Sequence, residues 1–187
     1  FAFMFAPNYH SAMKYVGPAR KKMGKKTIFN LIGPLSNPAQ VKRQVIGVFD
    51  KKWLKPFAEA LRENDVEHAY VVHSDDGMDE ISPFAKTNIV ELKNKKINEF
   101  TIDPNELGII SGNKENLKGK NAEYNSEKII EIYKGKSNEF SQSVSLNVAA
   151  GLMVSGKESD FKTAFKKATV HLNSGIVFKH LIKIQSM

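Results

Sequence analysis

The sequence predicts an α/β fold: a mainly parallel sheet with flanking helices, in one domain over residues 1–187. Three observations predict it. Strand and helix patterns alternate through the first half of the chain. The second half turns to helical spacing. Hydrophobic residues at 41% and charged ones at 26% are enough to build a buried core rather than leave the chain disordered. The length allows one full core.

The first seven residues, Phe1 to Pro7, are apolar at nearly every position, as in a strand buried on both faces. Ser11 to Met23 reads as a helix kinked by Pro18 and stopped at Gly24, since glycine takes the left-handed conformation cheaply. Thr27 to Leu35 fits a short helix or a strand. Gly33-Pro34-Leu35-Ser36-Asn37-Pro38 then leaves regular structure. Gln44 to Phe49 reads as a strand, Lys52 to Glu63 as an amphipathic helix and Ala69 to His73 as a strand, a right-handed βαβ unit. Asn88 to Leu92 and Ile97 to Ile102 form a hairpin at the sheet edge, turning at Asn94-Lys95. Helices follow over Ser126 to Tyr133, Gln142 to Val154 and Asp160 to Ile184, with Ser126 and Asp160 as caps.

Composition excludes several function classes. With no cysteine there is no disulfide, thiolate metal site or cysteine nucleophile. No apolar run reaches the roughly 18 residues that span a bilayer, and no basic segment precedes the opening apolar residues as in a signal peptide, so a cytoplasmic location is expected. The 28 basic residues against 20 acidic leave a formal charge of +8. That suits an anionic partner, a phosphate-rich small molecule or a nucleic acid, and charge alone does not choose. The lysines fall in short groups without an arginine-rich arm, the pattern of a solvated surface.

Two constellations point to chemistry. At about 100° per helical residue, His10, Met13, Gly17 and Arg20 fall on one face that continues into the apolar stripe. A guanidinium turned inward needs a carboxylate or phosphate partner, from the protein or from a ligand, and Gly17 leaves room for a flat molecule between His10 and Arg20. The plainer alternative turns Arg20 to solvent and leaves Gly17 to close packing. The second constellation is His73-Ser-Asp75-Asp76-Gly77-Met78-Asp79-Glu80, in the loop after a predicted parallel strand, where open α/β sheets place ligands. Asp75 and Asp76 precede a turn glycine and are explained as turn formers. Asp79 and Glu80 are an oxygen pair of the kind that holds magnesium together with a phosphate. The run Gly151 to Glu158 has P-loop spacing but follows a helical pattern and has Glu158 where Ser or Thr would hold magnesium, so it is a helix end. The five histidines lack zinc spacing, and no Gly-x-Ser-x-Gly nucleophile elbow occurs.

Three runs in order, Phe3-Met-Phe-Ala-Pro-Asn-Tyr-His10-Ser-Ala-Met13-Lys, Arg20-Lys-Lys-Met-Gly24 and Thr27-Ile-Phe-Asn30-Leu-Ile-Gly33-Pro34-Leu-Ser-Asn37-Pro38, closely resemble the anthranilate phosphoribosyltransferase family. Asp76-Gly77-Met78-Asp79-Glu80-Ile is similar to that family's acidic motif, and the match continues more loosely through Leu146-Asn147-Ala149-Ala150. The resemblance implies the large α/β domain of the nucleoside phosphorylase and phosphoribosyltransferase fold. It also implies transfer of a phosphoribosyl group from phosphoribosyl pyrophosphate to the amine of anthranilate, on the route to tryptophan. By resemblance Arg20 binds the anthranilate carboxylate, His10 and Met13 line the same site and Gly33-Pro34 borders it. Asp79 and Glu80 coordinate Mg2+ on phosphoribosyl pyrophosphate. No residue beyond these substrate- and metal-positioning ones is expected to be catalytic.

The sequence departs from the family in lacking its Gly-Thr-Gly-Gly-Asp loop, its Lys-His-Gly-Asn-Arg segment and its amino-terminal helical domain. The chain is therefore expected to be a carboxy-terminal fragment that is inactive by itself and monomeric, whereas the whole enzyme is a homodimer; neither nucleic acid nor membrane is an expected partner. Two rival readings are a pyrimidine nucleoside phosphorylase-like enzyme and a non-enzymatic paralogue that binds nucleic acid through its charge.

Overall fold

The structure, a computed structural model, describes residues 5–9, 13–25, 31–110 and 112–186, with backbone alone at 6, 7, 13, 14 and 20. Its backbone packs as two compact units, Phe1–Val41 and Lys42–Met187.

The first unit contains helices α1 (Ala6–Tyr9), α2 (Met13–Met23) and α3 (Ile32–Leu35). Phe5 is exposed and helix begins at Ala6, so the part of the opening run that is described is not the expected strand; residues 1–4 lie outside the described residues. Pro18 sits inside α2, and the helix stops before Gly24, whose φ of +60° is the expected left-handed end. The helix-or-strand ambiguity resolves as helix at its described end. Gly33 and Pro34 lie within α3, which postpones the expected break until Ser36.

The second unit is a four-stranded sheet in the order β1-β2-β3-β4, formed by Arg43–Gly47, His68–Ser74, Thr87–Lys93 and Lys96–Ile102. β1 and β2 are parallel, joined through helix α4 (Leu54–Glu63) as the βαβ reading requires. The other two pairings are antiparallel, so among the described residues the sheet is mixed rather than mainly parallel. The cause is connection chemistry. The β3–β4 turn has only Asn94 and Lys95, both at positive φ (50° and 65°), the two-residue geometry that reverses a twisted strand. The β2–β3 connection is a loop with no crossover helix.

Register divides the sheet into two faces. Ile46, Val71 and Val90 point to one side, where α4 buries Leu54, Phe57, Ala58 and Leu61 against β2 and β3. On the other side Tyr70, Val72 and Ile89 form the main core with Leu146, Ala150 and Val154 of helix α6 (Glu139–Val154). Those three α6 positions recur every four residues, which places them on one helix face. α6 is fixed at both ends. Asn138 and Ser141 form a reciprocal capping box at its start, and Arg43 Nη1 of β1 donates to the Val154 carbonyl in its last turn at 3.0 Å.

Helices α5 (Ala122–Tyr133), α7 (Phe161–Asn173) and α8 (Ile176–Gln185) complete the unit, α7 packing along α6. Two expectations need correction. α5 starts one turn earlier than Ser126 because the Asn121 side chain accepts from Tyr124 N. The last helical stretch is two helices, because Gly175 at φ 72° interrupts it; its cap at Asp160 is as expected. No helix among the described residues is long and apolar enough to cross a membrane.

Two outcomes follow. Asn138→Ala should cost about 1 kcal/mol in a thermal or urea melt, because it removes the side-chain cap that starts α6. Burial, then the charge of Glu91, pushes the Tyr70 phenol from 10.0 up to about 12. Above pH 10 the unfolded chain ionises this phenol first, so its stabilising contribution is present below pH 10 and falls as pH rises towards 12. An absorbance titration should show a late tyrosinate step near 12 that Tyr70→Phe removes.

Candidate functional site

The loop between β2 and β3 (residues 75–86) leaves the sheet at the carboxyl end of β2, beside the end of the parallel strand β1. Ser74 and Thr87, the last and first residues of β2 and β3, are paired in register and fully buried, with their hydroxyls 2.6 Å apart. Both hydroxyl oxygens accept from Ser82 N, at 3.1 and 3.2 Å, and Ser74 Oγ also donates to the Glu80 carbonyl at 2.6 Å. These contacts staple the loop across its base.

The four acidic side chains have different surroundings. Asp75 accepts from Asn88 Nδ2 at 2.6 Å. Asp76 accepts from Met78 N and Ser82 Oγ, and Lys114 Nζ lies 3.2 Å from its Oδ2 while donating to its carbonyl. Gly77, at φ 87°, lets the chain reverse next to it, and Gly77 N donates to the Ser74 carbonyl. Asp75 and Asp76 are thus tied into the loop itself. Asp79 and Glu80 are exposed, and among the described residues their carboxylates have no ion pair and no hydrogen bond.

Close approach to the sheet sets the position of this pair. A Cβ added to Gly47, the last residue of β1, would lie 1.5 Å from the Asp79 carbonyl oxygen. Only a residue without a side chain lets the loop lie over the strand there. A cleft of about 500 Å³ opens alongside, walled by Gly47 and Val72 of the sheet, Ser143 and Asn147 of α6, and Asp79 and Glu80. Partial desolvation against this wall, then the adjacent Asp79 charge, raises the Glu80 carboxyl above its ordinary value, although the residue as a whole is exposed. A cation between the two carboxylates would relieve both effects.

The donor set suits a hard divalent cation that keeps water and takes further oxygens from a ligand. Among the described residues no group of three or more His, Cys, Asp or Glu is placed to enclose a metal. Two open carboxylates beside a cleft fit a metal that arrives with a phosphate, and they do not fit a closed structural site.

The other expected site residues belong to the first unit. Met13 and Arg20 are at the start and in the third turn of α2, and the expectations about their side chains lie outside what is described. His10 lies outside the described residues. Gly33 and Pro34 are exposed on α3. Sequence reasoning overlooked Gly47, Ser74, Thr87 and Lys114. A glycine inside the expected strand Gln44 to Phe49, which the structure ends at Gly47, is a signal of close backbone approach; the hydroxyl pair and the lysine have no periodic signature.

Residues 1–178 match the model of the glycosyl transferase family, a/b domain. The chain is 56% identical over 187 residues to an anthranilate phosphoribosyltransferase of Pelagibacter ubique, covering all of this chain and 57% of that protein. Its fold is similar to the crystal structure of anthranilate phosphoribosyltransferase from Thermus thermophilus, with a TM-score of 0.89 at 34% identity over 98% of this chain and 54% of the other. It is also similar to a variant of the Saccharomyces cerevisiae enzyme with Mg bound, at a TM-score of 0.86 and 25% identity, covering 96% of this chain and 52% of that one. The chain spans about half the length of the curated relatives it matches. With an α/β fold of this topology and a family match over nearly all its residues, the chain belongs to the glycosyl transferase family, a/b domain.

Proposed function

We propose that this chain carries the metal-holding and anthranilate-holding parts of an anthranilate phosphoribosyltransferase. One observation carries the reading: an exposed Asp79–Glu80 pair, unpartnered among the described residues, beside a cleft at the carboxyl end of a parallel strand. The names of the relatives support the reaction, and the magnesium in the yeast enzyme supports the metal.

In the reaction the anthranilate amine forms a C–N bond to the anomeric carbon of phosphoribosyl pyrophosphate. The C–O bond breaks, its electron pair leaves on pyrophosphate, and the surplus amine proton goes to solvent. An aromatic amine is neutral at pH 7 and needs little activation, so the demanding part is charge growing on the leaving oxygens. A magnesium ion held at the pair would supply electrostatic stabilisation of that charge. Asp79 and Glu80 are the residues that would hold such a metal through their carboxylates. Arg20 takes the anthranilate carboxylate through its two-pronged guanidinium, His10 and Met13 line the ring, and Gly33-Pro34 borders it; these roles rest on the family resemblance. A homodimer for the whole enzyme and a cytoplasmic setting belong to the same proposal. The chain spans about half the length of these relatives, and we propose that by itself it does not turn over.

Three measurements test this. In a Mn2+ titration followed by electron paramagnetic resonance, Asp79→Asn with Glu80→Gln should weaken binding by at least about tenfold; equal affinity would remove the metal site. Anthranilate binding, read from its fluorescence, should fall about tenfold to a hundredfold in Arg20→Ala, the loss expected for a hydrogen bond to a charged group. A pyrimidine nucleoside phosphorylase-like protein has no use for that carboxylate contact and would show no such loss. Anthranilate, phosphoribosyl pyrophosphate and magnesium mixed with the chain should give no steady fluorescence decrease, and turnover would refute that part of the proposal.

A further inference from the structure

We propose that Asn147 of helix α6 is a positioning residue for the Asp79–Glu80 pair: its carboxamide grips the Ile81 backbone and so fixes where the two carboxylates open into the cleft. The proposal rests on the metal-binding reading above and adds a residue that never touches the metal.

The grip is two-sided. Asn147 Oδ1 accepts from Ile81 N at 3.1 Å, and its Nδ2 donates to the Ile81 carbonyl at 3.3 Å and to the Ser143 carbonyl, one turn earlier on α6, at 2.9 Å. Only a carboxamide offers an acceptor and a donor together at this length. The contact to Ser143 holds the side chain against its own helix, so α6 and the loop are joined by a rotamer with little freedom.

Its effect reaches the acidic pair through the chain. The peptide group linking Glu80 to Ile81 is held at both ends, its carbonyl by Ser74 Oγ and its N–H by Asn147 Oδ1. One residue earlier the Asp79 carbonyl rests on Gly47. The carbonyls of residues 79, 80 and 81 are therefore set in turn by β1, by β2 and by α6. Among the described residues the side chains of Asp79 and Glu80 are untethered at their tips and directed at their roots. The main alternative is that Asn147 merely satisfies buried backbone next to Ile81, whose side chain is fully buried in the core with Leu146. That role would alter stability and leave metal affinity alone.

The test is a double-variant cycle on the chain, with Mn2+ binding followed by electron paramagnetic resonance and folding by circular dichroism and thermal melts. Asn147→Ala should weaken Mn2+ binding by about tenfold, the usual effect of losing an outer partner of a ligand. The same change should have no further effect in a background already carrying Asp79→Asn and Glu80→Gln. Asn147→Leu keeps the size and removes both donor and acceptor without adding charge; it should show the same loss and decides the matter if the alanine variant fails to fold. Gly47→Ala, which pushes the same loop from the opposite side, should also weaken binding. Folded Asn147 variants that bind Mn2+ within twofold of the parent, while Asp79→Asn with Glu80→Gln weakens binding at least about tenfold, overturn the positioning role alone. Unchanged binding in that acidic double variant overturns the metal reading and this inference together.

Discussion

The Asp79 carbonyl occupies the space where any other residue at position 47 would carry its Cβ. The loop after β2 can lie over the end of β1 only because that strand closes on glycine. Once the loop is down, the buried hydroxyl pair of Ser74 and Thr87 can take up Ser82 N and the Glu80 carbonyl. Its outer side then meets α6. The acidic pair is presented by a backbone with sheet beneath it and helix beside it, which is more rigid than a surface loop of the same length would be.

The four acids of this loop divide into two kinds by their surroundings rather than by residue type. Asp75 and Asp76 face Asn88, Ser82 and Lys114, and they spend their oxygens on the loop's own shape. Asp79 and Glu80 face each other's charge and a cleft. Like charges side by side, one of them partly desolvated, are an unfavourable arrangement for the chain alone. Such sites are commonly places where a cation or a proton is expected to enter.

α6 links the core to the site. Leu146, Ala150 and Val154 bury one face against Tyr70 and Val72, and the adjacent positions Ser143 and Asn147 line the cleft. The capping box at Asn138 and the Arg43 contact to Val154 settle where the helix starts and ends, and so at what height Asn147 meets the loop. A core packing decision is in this way also a decision about the site.

The alternation of strand and helix from Gln44 to His73, the Asn94-Lys95 hairpin and the acid-rich loop were legible in the sequence because each is local: periodicity, a two-residue turn, a cluster of one residue type. Turn chemistry in the sequence by itself sets Asp75 and Asp76 apart from Asp79 and Glu80. The antiparallel majority of the sheet and the split of the last helix at Gly175 were less legible, because the first depends on how a helix-free loop returns β3 beside β2 and the second on a single positive φ. What tertiary structure alone decided is which backbone the loop rests on. Residues 47, 74, 79, 81, 87 and 147 are scattered through a hundred positions, and their contacts are made of one missing side chain, two hydroxyls and one carboxamide. None of these leaves a periodic trace in a sequence; they acquire meaning only when β1, β2 and α6 converge on the same few ångströms.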